Sequence, residues 1–452
     1  MSEQLPRLVR GPVLSTLAGR TGAMIWGMAS MVAFNLVDTY FVSKLGTAEL
    51  AAMSFTFPVV MVLGSVARGL GSGAMAAIAQ VLGAGQVERA RRIGTDGLLL
   101  SLGIVVVVVV LGLLTLDPVF TALGASPDAL VLIRSYMIPW YWGVPFLVVP
   151  MVGNSMLRAV GEMRIPSVVM MAAMVLNVVL DPILIFGWGP VPAMGLEGAA
   201  LATVAARALS MAVALWALVA KERLVDLSLP SPRGMIESSR LVLAVGIPAS
   251  VTNMVFPAGM AVMTALVAVY GDAAVAAVGA ATRVEMGAYM ILMALGAVIG
   301  PFVGQNLGAG RMDRVRRGVD LSMGFALGWG LLMAALLAAF ATPLGRVFSE
   351  DPQVIHYVVH YLYLVPLSFG LVGSLNLAGA ALQVLDRSWL AFFLATLRVV
   401  AMVPLALLAG SWWQVDGVFG AISLAGLLAG AWGLVALYRA LGRLGGAARA
   451  AT

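Results

Sequence analysis

The chain has 452 residues, of which 61% are hydrophobic and only 11% are charged. An ordinary soluble domain carries about 25% charged and 45–50% apolar residues, and a mean hydropathy of +1.01 cannot be hidden in a water-soluble core of this size. Soluble enzymes, nucleic-acid binders and disordered proteins are therefore excluded, and the sequence predicts an integral membrane protein. With no cysteine, the chain also has no disulfide, thiolate metal site or cysteine nucleophile.

The apolar runs predict membrane-spanning helices. The first twenty residues are basic and amphipathic and lack the apolar core and cleavage site of a signal peptide, so we interpret them as a retained cytoplasmic lead-in. The clearest spanning run is Gly97 to Leu116, since about 20 apolar residues cross a bilayer. Continuous valine runs do not alternate as barrel strands do. Division at charged and Gly/Pro-rich breaks predicts twelve helices, beginning near residues 13, 49, 95, 129, 163, 194, 240, 273, 318, 354, 388 and 416.

The basic residues predict the orientation of this bundle. Twenty arginines and lysines fall on one side of the predicted membrane, and only Lys44, Arg134 and Arg346 fall on the other. Basic residues are enriched on the cytoplasmic side of membrane proteins. We therefore expect a multi-pass protein of the inner (cytoplasmic) cell membrane with both termini in the cytoplasm, and we read the net charge of +6 as a topology signal.

An internal repeat divides the chain. The segment from Gln80 to Arg92 recurs from Gln305 to Arg317, at an offset of 225 residues. We predict an all-α integral membrane fold with two parallel, pseudo-symmetric six-helix lobes at residues 1–220 and 241–452, joined by a cytoplasmic linker at 221–240. Transporters place sites between such repeats, and no channel filter sequence is evident. Duplication that only built a scaffold is the alternative.

Three carboxylates fall inside predicted helices. They are Asp38 in helix 1, Asp181 in helix 5 and Glu285 in helix 8. A carboxylate at the bilayer centre costs about 2.5–3.5 kcal/mol on insertion scales, so it needs a reason. The repeat places Met263 and Ala406 at the counterparts of the first two acids. Since the shared scaffold does not require them, they favour a functional role.

Polar residues surround the second acid. Asn177 lies four residues before Asp181, on the same helical face. Asn154 in helix 4 and Thr203 in helix 6 could converge on that face. Carboxylate, amide and hydroxyl oxygens suit a proton or a Na⁺ equally well. The alternative is an interfacial position of the acids near the outer surface.

The second lobe offers Glu285 and Arg283 as candidates. Two residues apart, they lie on different helical faces and do not form an ideal helical pair. Glu285 can instead pair with another helix, line a cavity or close a gate. His356 and His360 share a helical face without an evident third ligand apart from two loop acids, so we predict no metal site beyond a possible Na⁺. The sequence contains no phosphate-binding glycine motif, so we expect no ATP-driven pump and no cofactor.

The ordered motifs resemble the multidrug and toxic compound extrusion (MATE) family, in particular its prokaryotic DinF-like branch. The resemblance covers essentially the whole chain and rests on the segments Asn35–Gly46, Asn177–Pro182, Gly195–Thr203, Arg283–Glu285 and Val303–Gly310.

The resemblance implies an antiporter, not an enzyme, which exports small amphipathic, often cationic organic compounds against inward H⁺ or Na⁺ flow. Asp38, Asp181, Asn177 and Thr203 match the family's coupling network. Tyr136 and Asn154 fall where its remaining polar members are expected, and Glu285 matches the second-lobe acid. We expect a monomer in the lipid bilayer with no nucleic-acid partner.

The sequence departs from the family pattern at two positions. Ala23 replaces a helix 1 proline whose bending is linked to coupling, and Phe34 replaces a tyrosine. The first change leaves bending to glycine flexibility, and the second removes a hydroxyl from the network.

Three alternatives stay open at this point. A flippase for lipids or lipid-linked saccharides has a related architecture, but would favour a cation-rich cavity. An intramembrane aspartyl hydrolase needs Asp38 and Asp181 close enough to activate a water, and it does not explain the repeat. A channel would give high flux without coupling.

Overall fold

The computed structural model describes residues 6–45, 47–226 and 231–450, and within these ranges it has fifteen α-helices and no β-strand. The helices are α1 (Val13–Ser43), α2 (Thr47–Gly83), α3 (Val87–Leu114), α4 (Leu116–Ala122), α5 (Pro127–Trp142), α6 (Val144–Ala159), α7 (Arg164–Phe186), α8 (Gly195–Trp216), α9 (Pro232–Ala268), α10 (Asp272–Gly308), α11 (Met312–Ala339), α12 (Ala341–Phe348), α13 (Pro352–Leu364), α14 (Phe369–Val384) and α15 (Ser388–Ala450).

Helix α3 shows why the apolar runs are helical. It contains six consecutive valines, although β-branched residues are poor helix formers in water. In lipid every backbone polar group needs an internal partner, and a helix provides one within the segment. Large apolar side chains of this helix, such as Val107 and Leu114, are exposed on its surface. The exposed apolar face is the one that we expect to contact lipid.

The two repeats begin corresponding helices in the same way. Ser126 precedes α5 and accepts a hydrogen bond from the backbone N–H of Ala129 at 3.2 Å. Asp351, its counterpart at the offset of 225, precedes α13 and accepts from the N–H of Gln353 at 2.8 Å. Each capping residue is followed by a proline, whose missing N–H costs nothing in a first helical turn.

Breaks within the helices also repeat, and they give the number of spans. Helices α5 and α6 form one span bent by 47° at Gly143, and a tight turn at residues 365–368 joins α13 to α14. Helix α15 is two helices, since Trp413 and Gln414 have non-helical backbone angles. The short helices α4 and α12 are left out of the count, α5–α6 and α13–α14 each count as one span, and α15 counts as two. The described helices then make twelve spans, which confirms the predicted architecture.

The short helix α4 is tied to α5 by a charged pair. Arg134 donates from Nε to Asp117 Oδ1 at 2.8 Å, and its second guanidinium nitrogen donates to Oδ2. Hydrogen bonding to Arg134 lowers the pKa of the exposed Asp117 carboxyl below its ordinary value. The pair therefore favours the ionised carboxylate at neutral pH.

The chain forms two compact units. Unit 1 comprises Met1–Arg7 and Gly22–Ser250, and unit 2 comprises Leu8–Thr21 and Val251–Thr452. Helices α1 and α9 each contribute residues to both units. The core of unit 1 is built around Trp140 and Phe120, and that of unit 2 around Tyr361, Phe302 and Phe419.

Candidate functional site

The best-defined polar pair of unit 1 lies on α7. The amide Nδ2 of Asn177 donates to Asp181 Oδ1 at 3.0 Å, and both side chains are fully buried. The spacing of four residues stacks them on one helical face, as the sequence predicts. Neither side chain has any exposed surface, so the pair is enclosed by the protein on every side.

Helices α5 and α8 bring two further polar faces together. The guanidinium of Arg207 on α8 lies 5.7 Å from the ring centre of Trp140 on α5, within cation–π range. Tyr136 stands one turn before Trp140, and Thr203 one turn before Arg207, so each lies on the same face as its neighbour. Both Tyr136 and Thr203 are buried. The Trp140–Arg207 contact thus places two predicted site residues on adjoining helices.

Two buried amide oxygens lack a donor among the described residues. They are the Oδ1 atoms of Asn154 on α6 and Asn177 on α7. A buried acceptor without a donor is costly unless a cation or an unseen hydrogen-bond donor completes it. The oxygen of Asn177 belongs to the pair with the Asp181 carboxylate, and together these oxygens could bind Na⁺ or hold a transferable proton. The donor set therefore fits a small cation.

Asp38 lies in α1, but its side chain is outside the described residues. Its position relative to Asp181 therefore stays a prediction. Helix α1 itself runs for 31 residues without a proline and passes through Ala23 as a continuous helix.

Unit 2 contains a different acidic cluster. The hydroxyl of Tyr361 on α13 donates to Glu285 Oε2 on α10 at 2.7 Å. Arg398 on α15 interacts electrostatically with the same carboxylate, and the Tyr361 ring packs edge-on against Phe419 with centroids 5.1 Å apart. Glu285 thus pairs with other helices, which was one of the three roles left open by the sequence.

Arg283 is not part of this cluster. Its side chain is exposed, two residues from Glu285 on another face of α10. Tyr289, one turn after Glu285, donates its hydroxyl to the backbone carbonyl of Phe369 at 3.2 Å and is buried. The structure therefore groups Glu285 with tyrosines and Arg398, and leaves Arg283 at the surface.

Other acidic and histidine side chains lie outside these clusters. Asp96 on α3 is 1% exposed, and neither carboxylate oxygen has a hydrogen-bond partner in the described ranges. His360 contacts Asp416 through Nδ1 at 2.9 Å, and its ring lies 4.0 Å from that of His356. Across the described part of the chain, no three or more His, Cys, Asp or Glu side chains are arranged to hold a metal ion.

The sequence-based reasoning missed Tyr361, Arg398 and the Trp140–Arg207 contact. The repeat provided a signal for the first of these, because Tyr361 is the counterpart of Tyr136 at the offset of 225. No sequence signal pairs Trp140 with Arg207, because they lie on α5 and α8, which come into contact only in the folded protein.

Comparison with known proteins agrees with this architecture. The MatE family model matches residues 23–183 and 248–408, and the second segment is displaced from the first by 225 residues at both ends. A FAD transporter of Shewanella oneidensis is 36% identical over 94% of each chain. The multidrug export protein MepA of Staphylococcus aureus is 24% identical over 94% of this chain and 93% of that protein.

Solved structures share the fold over nearly the whole chain. The Vibrio cholerae MATE transporter VcmN in its bent form matches with a TM-score of 0.89 and 28% identity, covering 96% of this chain and 98% of that one. A MOP superfamily transporter from Pyrococcus furiosus matches with a TM-score of 0.88 and 26% identity, covering 98% and 99%.

The twelve spans, the duplicated half and the buried polar pair of this chain are those of a multi-pass membrane transporter. The family model matches more than half of the chain, so the chain belongs to the MATE family. The sequence-based assignment to a transporter rather than an enzyme is thereby confirmed.

Proposed function

We propose that this MATE-family transporter is a secondary antiporter, which exports amphipathic organic compounds in exchange for H⁺ or Na⁺. The observation that carries the proposal is the fully buried Asn177–Asp181 pair, in which Asn177 Oδ1 has no donor among the described residues. In one state Asp181 and Asp38 bind the coupling ion, and in the other they hold a cationic substrate. A ligand shifts such an equilibrium only by binding the two states differently, and neutralising the acids supplies that difference.

The moving parts in this proposal are the lobes at residues 1–220 and 241–452, joined by the linker at 221–240. We propose a location in the cytoplasmic membrane with both termini inside, supported by the twenty-to-three distribution of basic residues. The monomeric state is part of the same proposal. Glu285, with Tyr361 and Arg398, forms a second polar cluster, within unit 2, and we propose it as a further substrate-contacting candidate.

A flavin dinucleotide is the second candidate substrate. The Shewanella oneidensis relative is named a FAD transporter and is more similar, at 36% identity, than the multidrug export protein MepA at 24%. FAD carries a pyrophosphate and an aromatic ring system. Arg207 beside Trp140, and Arg398 beside two tyrosines, each combine a cation with aromatic rings, which matches this chemistry. Trp140 and Tyr361 are each 1% exposed, so FAD would contact them only in another conformation of the transport cycle.

The test uses purified protein in liposomes loaded with either a fluorescent organic cation or FAD. A pH gradient and a Na⁺ gradient are imposed separately on the wild type, Asp38→Asn and Asp181→Asn. Asp96→Asn is the matched control, because it removes a buried carboxylate from the same unit outside the cluster.

We expect one of the two gradients to drive substrate movement in the wild type and in the control, and both site variants to lose it. Normal gradient-driven transport by well-folded Asp38→Asn and Asp181→Asn proteins would contradict the proposal. Movement of labelled lipid, with no movement of either small molecule, would favour the flippase alternative.

A further inference from the structure

The segment that precedes α1 is bound to unit 2 through its backbone. Leu8 is fully buried, and Val9 is 3% exposed. The backbone N–H of Leu8 donates to Gln305 Oε1 at 2.9 Å, and its carbonyl accepts from Asn306 Nδ2 at 3.1 Å. Buried backbone groups outside a helix need such partners. Two adjacent side chains near the end of α10 supply them here.

Arg314 on α11 completes this arrangement. Its Nε donates to Asn306 Oδ1 at 2.8 Å, and a terminal nitrogen donates to the Gly11 carbonyl at 2.7 Å. The other terminal nitrogen lies 3.4 Å from the carbonyl oxygens of both Leu8 and Arg10. A guanidinium has five donors in a rigid fork and stays charged. We call Gln305, Asn306 and Arg314 the N-terminal clamp.

The clamp is a modified copy of the internal repeat. The counterparts of its three residues at the offset of 225 are Gln80, Val81 and Arg89. In unit 1 Arg89 reaches Glu237, near the beginning of α9, at 3.1 Å. In both copies the arginine therefore contacts the start of a long helix, α1 or α9. In the first copy the contact is an exposed ion pair, which contributes little, and the asparagine is absent.

Helix α1 connects the clamp to the acid at its other end. Residues 13–21 of α1 belong to unit 2, and its remainder from Gly22 belongs to unit 1. The helix is continuous from Val13 to Ser43, so a rotation or a shift at its first turn is transmitted along its length. Asp38 lies one turn before its end.

We propose that the N-terminal clamp positions Asp38 through α1, so that Gln305, Asn306 and Arg314 are positioning residues for ion coupling. This inference rests on the proposed antiport function. The clamp bonds to backbone atoms of the segment before α1, so its effect does not depend on the side chains of that segment. In this proposal it fixes the position of α1 along its own axis and its rotation about that axis. Releasing it changes how tightly the coupling ion binds at the other end of the helix.

The test compares Arg314→Ala and Asn306→Asp with Arg317→Ala. Asn306→Asp keeps the acceptor for Arg314 but loses the donor to the Leu8 carbonyl. If Arg314→Ala folds poorly, Asn306→Asp alone still tests the proposal. Arg317 is an exposed arginine of the same helix, so its removal matches the loss of charge. Hydrogen exchange of residues 6–21 and the half-saturating concentration of the coupling ion are both measured, the latter in liposomes.

In Arg314→Ala we expect exchange of this segment to rise about ten-fold or more, the effect of losing a hydrogen bond to a charged group. In Asn306→Asp, which loses the neutral bond to the Leu8 carbonyl, exchange should rise by about two- to ten-fold. The half-saturating ion concentration should shift several-fold, with little change in the maximal rate per folded transporter, and Arg317→Ala should match the wild type. Faster exchange without that shift would show a simple anchor, and unchanged exchange would show that the clamp holds nothing. Either result overturns the inference.

The same liposomes separate this inference from the proposed function. Wild-type transport that depends on an ion gradient and is lost in Asp38→Asn supports antiport, whatever the clamp variants do. If the wild type shows no ion-driven transport, the proposed function fails, and the positioning role fails with it.

Discussion

Replacing Asn177 by alanine should change the affinity for the coupling ion in a direction that identifies the ion. In the wild type, the amide Nδ2 donates to Asp181 Oδ1 at 3.0 Å inside a fully buried pair. That bond favours the ionised carboxylate. Without it a proton binds more readily, so a proton-driven transporter becomes half-saturated at a lower proton concentration. A Na⁺-driven transporter should respond oppositely, because Asn177 Oδ1 would be lost as a ligand.

The expected size follows from the hydrogen bond. A bond to a charged group contributes about 1.5–3 kcal/mol, and about 1.4 kcal/mol corresponds to a factor of ten. Half-saturation by protons should therefore move by about ten- to a hundred-fold. The substitution also removes volume from a buried position, so the folded fraction of Asn177→Ala is measured separately by thermal unfolding.

The assay is initial transport rate against external pH and, in a second series, against Na⁺ concentration. Ser374→Ala is the control, since it truncates a buried polar side chain that only bonds to a carbonyl of its own helix in unit 2. The reasoning is refuted if folded Asn177→Ala shows wild-type half-saturation for both ions. A Ser374→Ala protein with the same shift would contradict this prediction as well.

Three further predictions concern stability. Tyr361→Phe keeps the ring but removes the 2.7 Å bond to Glu285, and should lower the free energy of unfolding by about 1.5–3 kcal/mol, measured by denaturant unfolding in detergent. Trp140→Ala empties a fully enclosed position and should cost about 3–5 kcal/mol in the same assay. Asp117→Asn should lower the thermal midpoint at pH 7. Because Arg134 lowers the pKa of Asp117, the pair stabilises above the unfolded value of about 3.9, and the difference should vanish as pH falls through the lowered pKa.

Each of these predictions has its own control. Tyr361→Phe should lower the free energy of unfolding by less in a Glu285→Gln background than in the wild type. An equal loss in both backgrounds would exclude the bond to the charged carboxylate as the cause. Trp412→Ala, at an exposed tryptophan, should change the free energy of unfolding by no more than about 0.5 kcal/mol. Arg134→Gln should abolish the pH-dependent difference at Asp117. If Asp117→Asn still has a lower thermal midpoint than the wild type at low pH, the stabilisation by this pair is not ionic.

The sequence predicts the spans well because lipid leaves the backbone few choices. Predicted helix starts near 49, 129, 163, 273 and 354 lie within two residues of those in the structure. The structure adds the short helices α4 and α12, which are too short to span and carry no long apolar run. The starts predicted near 95, 240 and 318 are too late, because α3, α9 and α11 begin at Val87, Pro232 and Met312. The charged first turns of these helices are helical without being apolar.

The site is less predictable, because contacts between helices do not follow from spacing. The Asn177–Asp181 pair could be inferred, since both residues lie on one helix. The complete burial of Asp181 within the protein could not, because the neighbouring Pro182 is compatible with either an exposed or a buried turn. The partners of Glu285, Tyr361 and Arg398, lie on α13 and α15. They are too far away along the sequence for a local pattern to predict the contact.

The assignment of Leu8–Thr21 to unit 2 also has a consequence for synthesis. The bond between Leu8 and Gln305 joins residues 297 positions apart. At a ribosomal rate of about 5–20 residues per second, roughly 15–60 s separate the appearance of these two residues. Leu8 is thus synthesised well before its partners near the end of α10, and a chain stopped before α10 lacks the two side chains that bind the backbone of Leu8.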